Sequence, residues 1–222
     1  MAQKDLKFLA PEVLEAIEAE ARTYYQSDPA SHRYDHVKRV ERLALRLAEA
    51  EGADPLVVRL AAILHDIGRN EEKKTRGRVC HAQWGAREAA KILKKYRLDE
   101  KIIAAVCEAI AAHRFRNNKV PKTPEARCLY DADKLDALGA VGIGRAFLFA
   151  GEVGARLHNP EVDIDKTQPY GPEDTAWREF VVKLSRIKDS MLTETGRRMA
   201  EDRHRFMEEF FRRLTDEVEG RA

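Results

Sequence analysis

Only three cysteines, Cys80, Cys107 and Cys128, occur in the 222 residues, far apart and without a CxxC pair. That spacing fits neither a zinc ribbon nor a disulfide framework, and it predicts reduced thiols in a cytoplasmic protein. Long apolar runs are lacking too. The opening stretch, MAQKDLKFLAPEVLEAIEAE, breaks its apolar residues with charges every few positions, which predicts neither a signal peptide nor an anchor, and no other stretch is apolar enough to span a bilayer. Nor does one sign of charge dominate. Forty basic residues face 38 acidic ones, a formal +2, so the excess expected of a protein that grips nucleic-acid polymers is absent. There is no Ser/Gly/Pro-rich linker, no internal repeat and no alternating apolar run bounded by hairpin turns. Together these absences predict one all-α domain over residues 1–222, a helical bundle with no membrane partner.

What is present is helical periodicity. Val13, Leu14, Ile17 and Ala21 recur at three- and four-residue steps between Pro11 and Tyr25, and Val37, Val40, Leu43, Ala44 and Leu47 do so between Asp35 and Glu51. Asp54-Pro55 is an N-cap followed by proline at the first helical position, and Gly68 sits where that helix should stop. Further helices are expected over Ala82–Tyr96, Asp99–Ala112, Pro124–Leu138, Asp174–Leu192 and Thr195–Val218. The core of any site falls at about 31–138 and the C-terminal helices at about 174–218. Two stretches, Arg114–Thr123 and the Gly- and Pro-containing Gly151–Glu173, read as irregular, the second long enough to be a lid or a binding loop.

Residue types that ligate metals stand in a fixed order along this scaffold: His36 in HRYDHVKRV, His65-Asp66 in AAILHDIGR, His113 ending IAAHR, and Asp133 in LYDADKLDALG. Imidazoles and carboxylates in such a mixture suit borderline divalent cations and leave room for water, the composition of a hydrolytic centre. Adjacent residues on a helix point about 100 degrees apart, so His65 and Asp66 can grip one ion only from near a helix C-terminus. A carboxylate has two oxygens where a neutral imidazole has one lone pair, which suits Asp66 to bridging two ions.

These residues, with AAILHDIG, HAQWGAREAAKIL, AIAAHRFR, LYDADKLDALGAVGIGRAF, KLSRIKDSMLTETG and AEDRHRFMEEF, resemble the HD superfamily of metal-dependent phosphohydrolases, in particular a small bacterial and archaeal branch. The resemblance runs from about Ser31 to Leu214. It implies that His36, His65, Asp66 and Asp133 hold a first metal ion, and that His81 and His113 hold a second with Asp66 bridging. Mn²⁺ is the expected ion, with magnesium, cobalt, nickel, iron or zinc as alternatives, at one or two per chain.

A bound divalent ion lowers the pKa of its water and neutralises phosphoryl oxygens, so phosphate esters or anhydrides are the expected substrates. Arg69, Lys73, Lys74, Arg76 and Arg78 follow the His-Asp pair, Arg114 and Arg116 follow His113, and Lys134 follows Asp133. Of these, Arg69, Arg114 and Lys134 are expected to bind substrate, and Asp66, Arg69 and Lys134 to serve catalysis. Glu71 or Glu72 could act as general acid or accept from bound water, and His32 or Asp35 could orient His36. His158 reads as a solvated loop residue, or a substrate contact if its loop is a lid; His204 reads as a surface or subunit contact. Phe206, Phe210 and Phe211 read as core or as a homodimer interface, and the basic run KKTRGR as a solvated loop. The expected function is hydrolysis of a small phosphorylated molecule, a nucleotide, with a nucleoside triphosphate giving monophosphate and pyrophosphate. A nucleotidase or phosphodiesterase is the alternative enzyme, and a non-catalytic nucleotide-binding regulator the alternative of another class.

Overall fold

The computed structural model describes residues 9–25, 34–114 and 120–222. Among them every regular element is helical, as the periodicity requires. The chain groups into two compact units, Met1–Asp133 and Lys134–Ala222.

The first unit is built around a short apolar helix. In chain order it holds α1 (Pro11–Arg22), a 3₁₀ turn (Thr23–Tyr25), α2 (Tyr34–Glu51), α3 (Pro55–Leu64), α4 (Arg69–Lys74), α5 (His81–Lys95), α6 (Glu100–Ala112) and most of α7 (Pro124–Leu135). Helix α3, PLVVRLAAIL, is apolar on nearly every side, so it must be covered on every side; α2 and α6 both pack on it, and α5 packs on α6. Leu60, Ile63 and Leu64 are fully buried there, each contributing roughly 1.5–3 kcal/mol. Asp54 starts this helix as expected, its carboxylate accepting from the Leu56 and Val57 amides with Pro55 in the first turn. The Asp54 amide in turn donates to Glu125 at the start of α7, which ties that helix to the end of α3 opposite His65.

The second unit contains α8 (Gly139–Glu152), a 3₁₀ turn (Ile164–Lys166), α9 (Ala176–Val182), a 3₁₀ segment (Leu184–Ser190) and α10 (Glu194–Val218). Helix α8 packs on α9 and α10, and Phe180 stacks on Phe211 at 4.9 Å between ring centres. The long irregular stretch is tied down from within: Asn159 accepts from Thr175 and donates to Glu173, which also pairs with Arg156.

Three sequence expectations need correction. Helix α8 was not anticipated because its first six residues include three glycines, poor helix formers. Gly142 shows why one is needed: a Cβ there would stand 2.2 Å from the Ala137 carbonyl oxygen. The helix expected over Asp174–Leu192 starts at Ala176 with Thr175 as its cap and breaks after Val182, where Lys183 leaves helical geometry; beyond it, Ser185 and Ser190 bond back to backbone carbonyls. Finally, the helix expected to stop at Gly68 already ends at Leu64. The chain turns through residues 65–68 and re-enters a helix at once, as α4.

Candidate metal centre

Helix termini do most of the positioning. His36 lies in the first turn of α2, His65 caps the C-terminus of α3 with Asp66 in the following turn, His81 opens α5, His113 caps α6, and Asp133 stands in the last turn of α7. All six predicted residues of the metal site therefore come together within the first unit. Four imidazoles surround the Asp66 carboxylate and divide its oxygens between them. Oδ2 lies 3.3 Å from His65 Nε2 and 3.7 Å from His36 Nε2, whereas Oδ1 lies 3.5 Å from His113 Nε2 and 3.6 Å from His81 Nε2. Asp133 joins the first pair, its Oδ1 at 3.5 Å from His36 Nε2 and 4.0 Å from His65 Nε2. The donors thus form two groups that share Asp66.

The histidine rings are oriented from behind. His65 Nδ1 faces the Ala62 carbonyl at 2.8 Å and His113 Nδ1 the Ile110 carbonyl at 2.6 Å, so in the neutral ring Nδ1 carries the proton and Nε2 turns to Asp66. His81 Nδ1 faces Glu72 Oε2 at 2.8 Å to the same effect.

Burial and charge compete throughout. Burial raises the Asp66 carboxyl, but the charges of Arg69 and His65 and the closeness of the His113 and His65 rings outweigh it and hold the group well below the usual carboxylate range. For His81, burial comes first; with the charges of His113 and Arg69 it overcomes the pull of Asp66 and sets the ring at about 4. His113 is lowered by burial, while for His65 the pull of Asp66 and Asp133 exceeds burial and raises it. A neutral imidazole beside an ionised carboxylate is the state a cation requires of its ligands.

The donors fit a divalent ion on one further ground. His65 Nε2 and Asp66 Oδ1 are buried and find no hydrogen-bond partner among the described residues, although both sit among polar atoms. Buried acceptors turned toward one another are costly unless something positive lies between them. Histidine and carboxylate together suit manganese, iron, cobalt or zinc better than calcium.

Of the expected cations, Arg69 pairs through Nε with Asp66 Oδ2, and Arg114 Nη1 pairs with Glu72 Oε1 at 2.7 Å. Lys134 is half-buried on α7. Lys73, Lys74, Arg76 and Arg78 are exposed, as a solvated basic loop should be; Arg116 and His32 lie outside the described residues. Asp35 does not orient His36, since its exposed carboxylate pairs with Arg39. Between the two glutamates, Glu72 faces the site and Glu71 pairs outward with Lys74. His158, expected in solvent, and His204, expected at a surface or subunit contact, are both buried in the second unit, the first against Trp177 and Thr215, the second beside Phe180. Phe211 is core while Phe206 is exposed.

Tyr25 was missed. Its buried hydroxyl has no hydrogen-bond partner among the described residues; burial first, and then the charge of Asp66, raises it well above the ordinary tyrosine value. A tyrosine closing a 3₁₀ turn leaves no local trace of such a neighbour.

A family model of the HD domain matches residues 33–138. The uncharacterized protein YpgQ of Bacillus subtilis is 35% identical over 207 residues, covering 90% of this chain and 92% of its own. The crystal structure of YpgQ in complex with ADP superposes with a TM-score of 0.70 at 33% identity, over 92% of this chain and 100% of that one. An HD-superfamily hydrolase from Bacillus thuringiensis gives 0.72 at 29% identity, over 94% and 97%.

Proposed function

The chain belongs to the HD superfamily, and from that premise we propose that it is a metal-dependent phosphohydrolase acting on a nucleotide, releasing monophosphate and pyrophosphate from a nucleoside triphosphate. The observation that carries the reading is the division of the Asp66 carboxylate between His36 and His65 on one oxygen, with Asp133 beside those two rings, and His81 and His113 on the other. We assign the first group to one divalent ion and the second to another, with Asp66 bridging. Ions held there would supply an acidified water and charge compensation for phosphoryl oxygens.

The protein's own residues would do the rest. Arg69 spends one N–H on Asp66, and the remaining guanidinium N–H groups suit a phosphoryl oxygen; Arg114, held by Glu72, offers a second cation. Lys134, next to Asp133 in the chain, is proposed as a third. The preference for a nucleotide draws on the ADP complex of YpgQ. Near-neutral net charge favours a small substrate over a polymer.

The test is a panel of nucleotides and phosphate esters supplied to the purified protein with Mn²⁺ and then with EDTA. Monophosphate plus pyrophosphate, abolished by EDTA and restored by Mn²⁺ or Co²⁺ better than by Ca²⁺, is the expected result. Full activity without metal would overturn the reading. Stepwise orthophosphate, or turnover of mono- or cyclic nucleotides alone, would move the activity to a nucleotidase or phosphodiesterase, and tight binding without turnover would indicate a regulator.

A further inference from the structure

Three rings turn Nε2 toward Asp66 by engaging Nδ1 from behind, but not by the same means. For His65 and His113 the engaging atom is a backbone carbonyl three residues earlier, Ala62 and Ile110, so helix geometry alone sets the ring. His81 opens α5 and has no preceding turn of its own helix to use. Its Nδ1 meets a side chain from α4 instead, Glu72 Oε2 at 2.8 Å, and the other oxygen of that carboxylate is held by Arg114 at 2.7 Å, just beyond the end of α6. Glu72 is therefore gripped at both oxygens and cannot swing away without breaking an ion pair. Its neighbour Glu71, one position back, points out to Lys74.

We propose that Glu72 is the positioning residue for His81: it fixes the tautomer with Nδ1 protonated, directs Nε2 at Asp66 Oδ1 and His113 Nε2, and so sets the affinity of the second ion while leaving the first untouched. The affinity half of the proposal rests on the two-ion reading above; the tautomer half does not. A carboxylate behind a ligating imidazole raises its basicity and fixes its orientation, and loss of such a partner weakens metal binding by about 10- to 100-fold. Glu72 bonds to His81 and pairs with Arg114, so its removal should act on the site through His81.

Two measurements test this. Long-range ¹⁵N–¹H correlation spectra of the metal-free protein read the tautomer directly: His81 should carry its proton on Nδ1 in the wild type, lose that preference in Glu72→Ala and keep it in Glu72→Gln, whose amide oxygen can still accept. His65 and His113 should be unchanged in both variants, which also reports that they fold. Mn²⁺ titration should then give two ions per chain in the wild type, with one class weakened about 10- to 100-fold in Glu72→Ala and less in Glu72→Gln. An unchanged His81 tautomer in Glu72→Ala overturns the positioning role. Two ions of unaltered affinity in that variant overturn the affinity claim alone, and a single ion in the wild type overturns the two-ion reading together with it.

Discussion

Asp66 meets four imidazoles and one guanidinium while being almost wholly buried. Asp66→Asn keeps the shape and removes the charge, leaving Arg69 without its counter-ion and the four rings without a shared anion. Both bound ions should be lost and activity should fall by about 10³-fold or more; metal analysis on the purified variant checks this, and retention of two ions would contradict the bridging role. A second residue-scale expectation concerns a thiol. Burial, then Glu51, Asp131 and Glu125, push Cys128 up to about 12, so at pH 8 it is almost entirely protonated. Brief iodoacetamide labelling of the folded protein should leave the Cys128 peptide unmodified while denaturant exposes it, and fast native labelling would contradict its burial. At this scale the candidate ligands were legible because His and Asp are metal-binding residue types and their order along the chain is distinctive. Glu72 and Tyr25 were not, since what selects Glu72 over Glu71 is the direction α4 takes after the turn, and what brings Tyr25 near Asp66 is the packing of α1.

The element that matters most to the site is the turn between α3 and α4, because it must pass against the start of α5 closely enough for His81 to reach Asp66. Gly68 permits that approach. Its backbone is ordinary, with φ −85°, but a Cβ would stand 2.2 Å from the His81 carbonyl oxygen and 2.9 Å from its carbon, both backbone atoms that cannot swing aside. Gly68→Ala should therefore push α5 away, cost about 1–3 kcal/mol and weaken the second ion. At Gly85, within α5, a Cβ would stand 3.5 Å from the Gly68 nitrogen, an ordinary contact, so Gly85→Ala should be neutral or stabilise by up to about 1 kcal/mol through helix propensity. Thermal melts of the two variants would settle the contrast; equal effects would mean that glycine at 68 serves flexibility rather than clearance. Sequence signals worked where the element carries its own punctuation, as Asp54-Pro55 does for α3. They failed where tertiary packing overrides propensity, as in glycine-rich α8, and where a helical period continues past the point at which the backbone tightens, as after Val182.

For the molecule as a whole, the proposed ion site turns stability into a test of metal binding. Four imidazoles and two carboxylates occupy the centre of the first unit, a place where apolar side chains would otherwise pack, and His65 Nε2 and Asp66 Oδ1 gain no hydrogen bond there among the described residues. An ion that binds this arrangement and not the unfolded chain stabilises the fold by RT ln(1 + [L]/Kd), about 2.7 kcal/mol at a hundredfold excess over Kd. For a chain of this size each kcal/mol moves the midpoint by about 2–4 °C, so saturating Mn²⁺ should raise it by about 5–10 °C over EDTA. Asp66→Asn should melt at the same temperature in both conditions, because the bridging anion is gone. A wild-type midpoint indifferent to Mn²⁺ would mean that the folded protein holds no ion in the cluster, and the proposed hydrolysis would lose its chemical basis along with it.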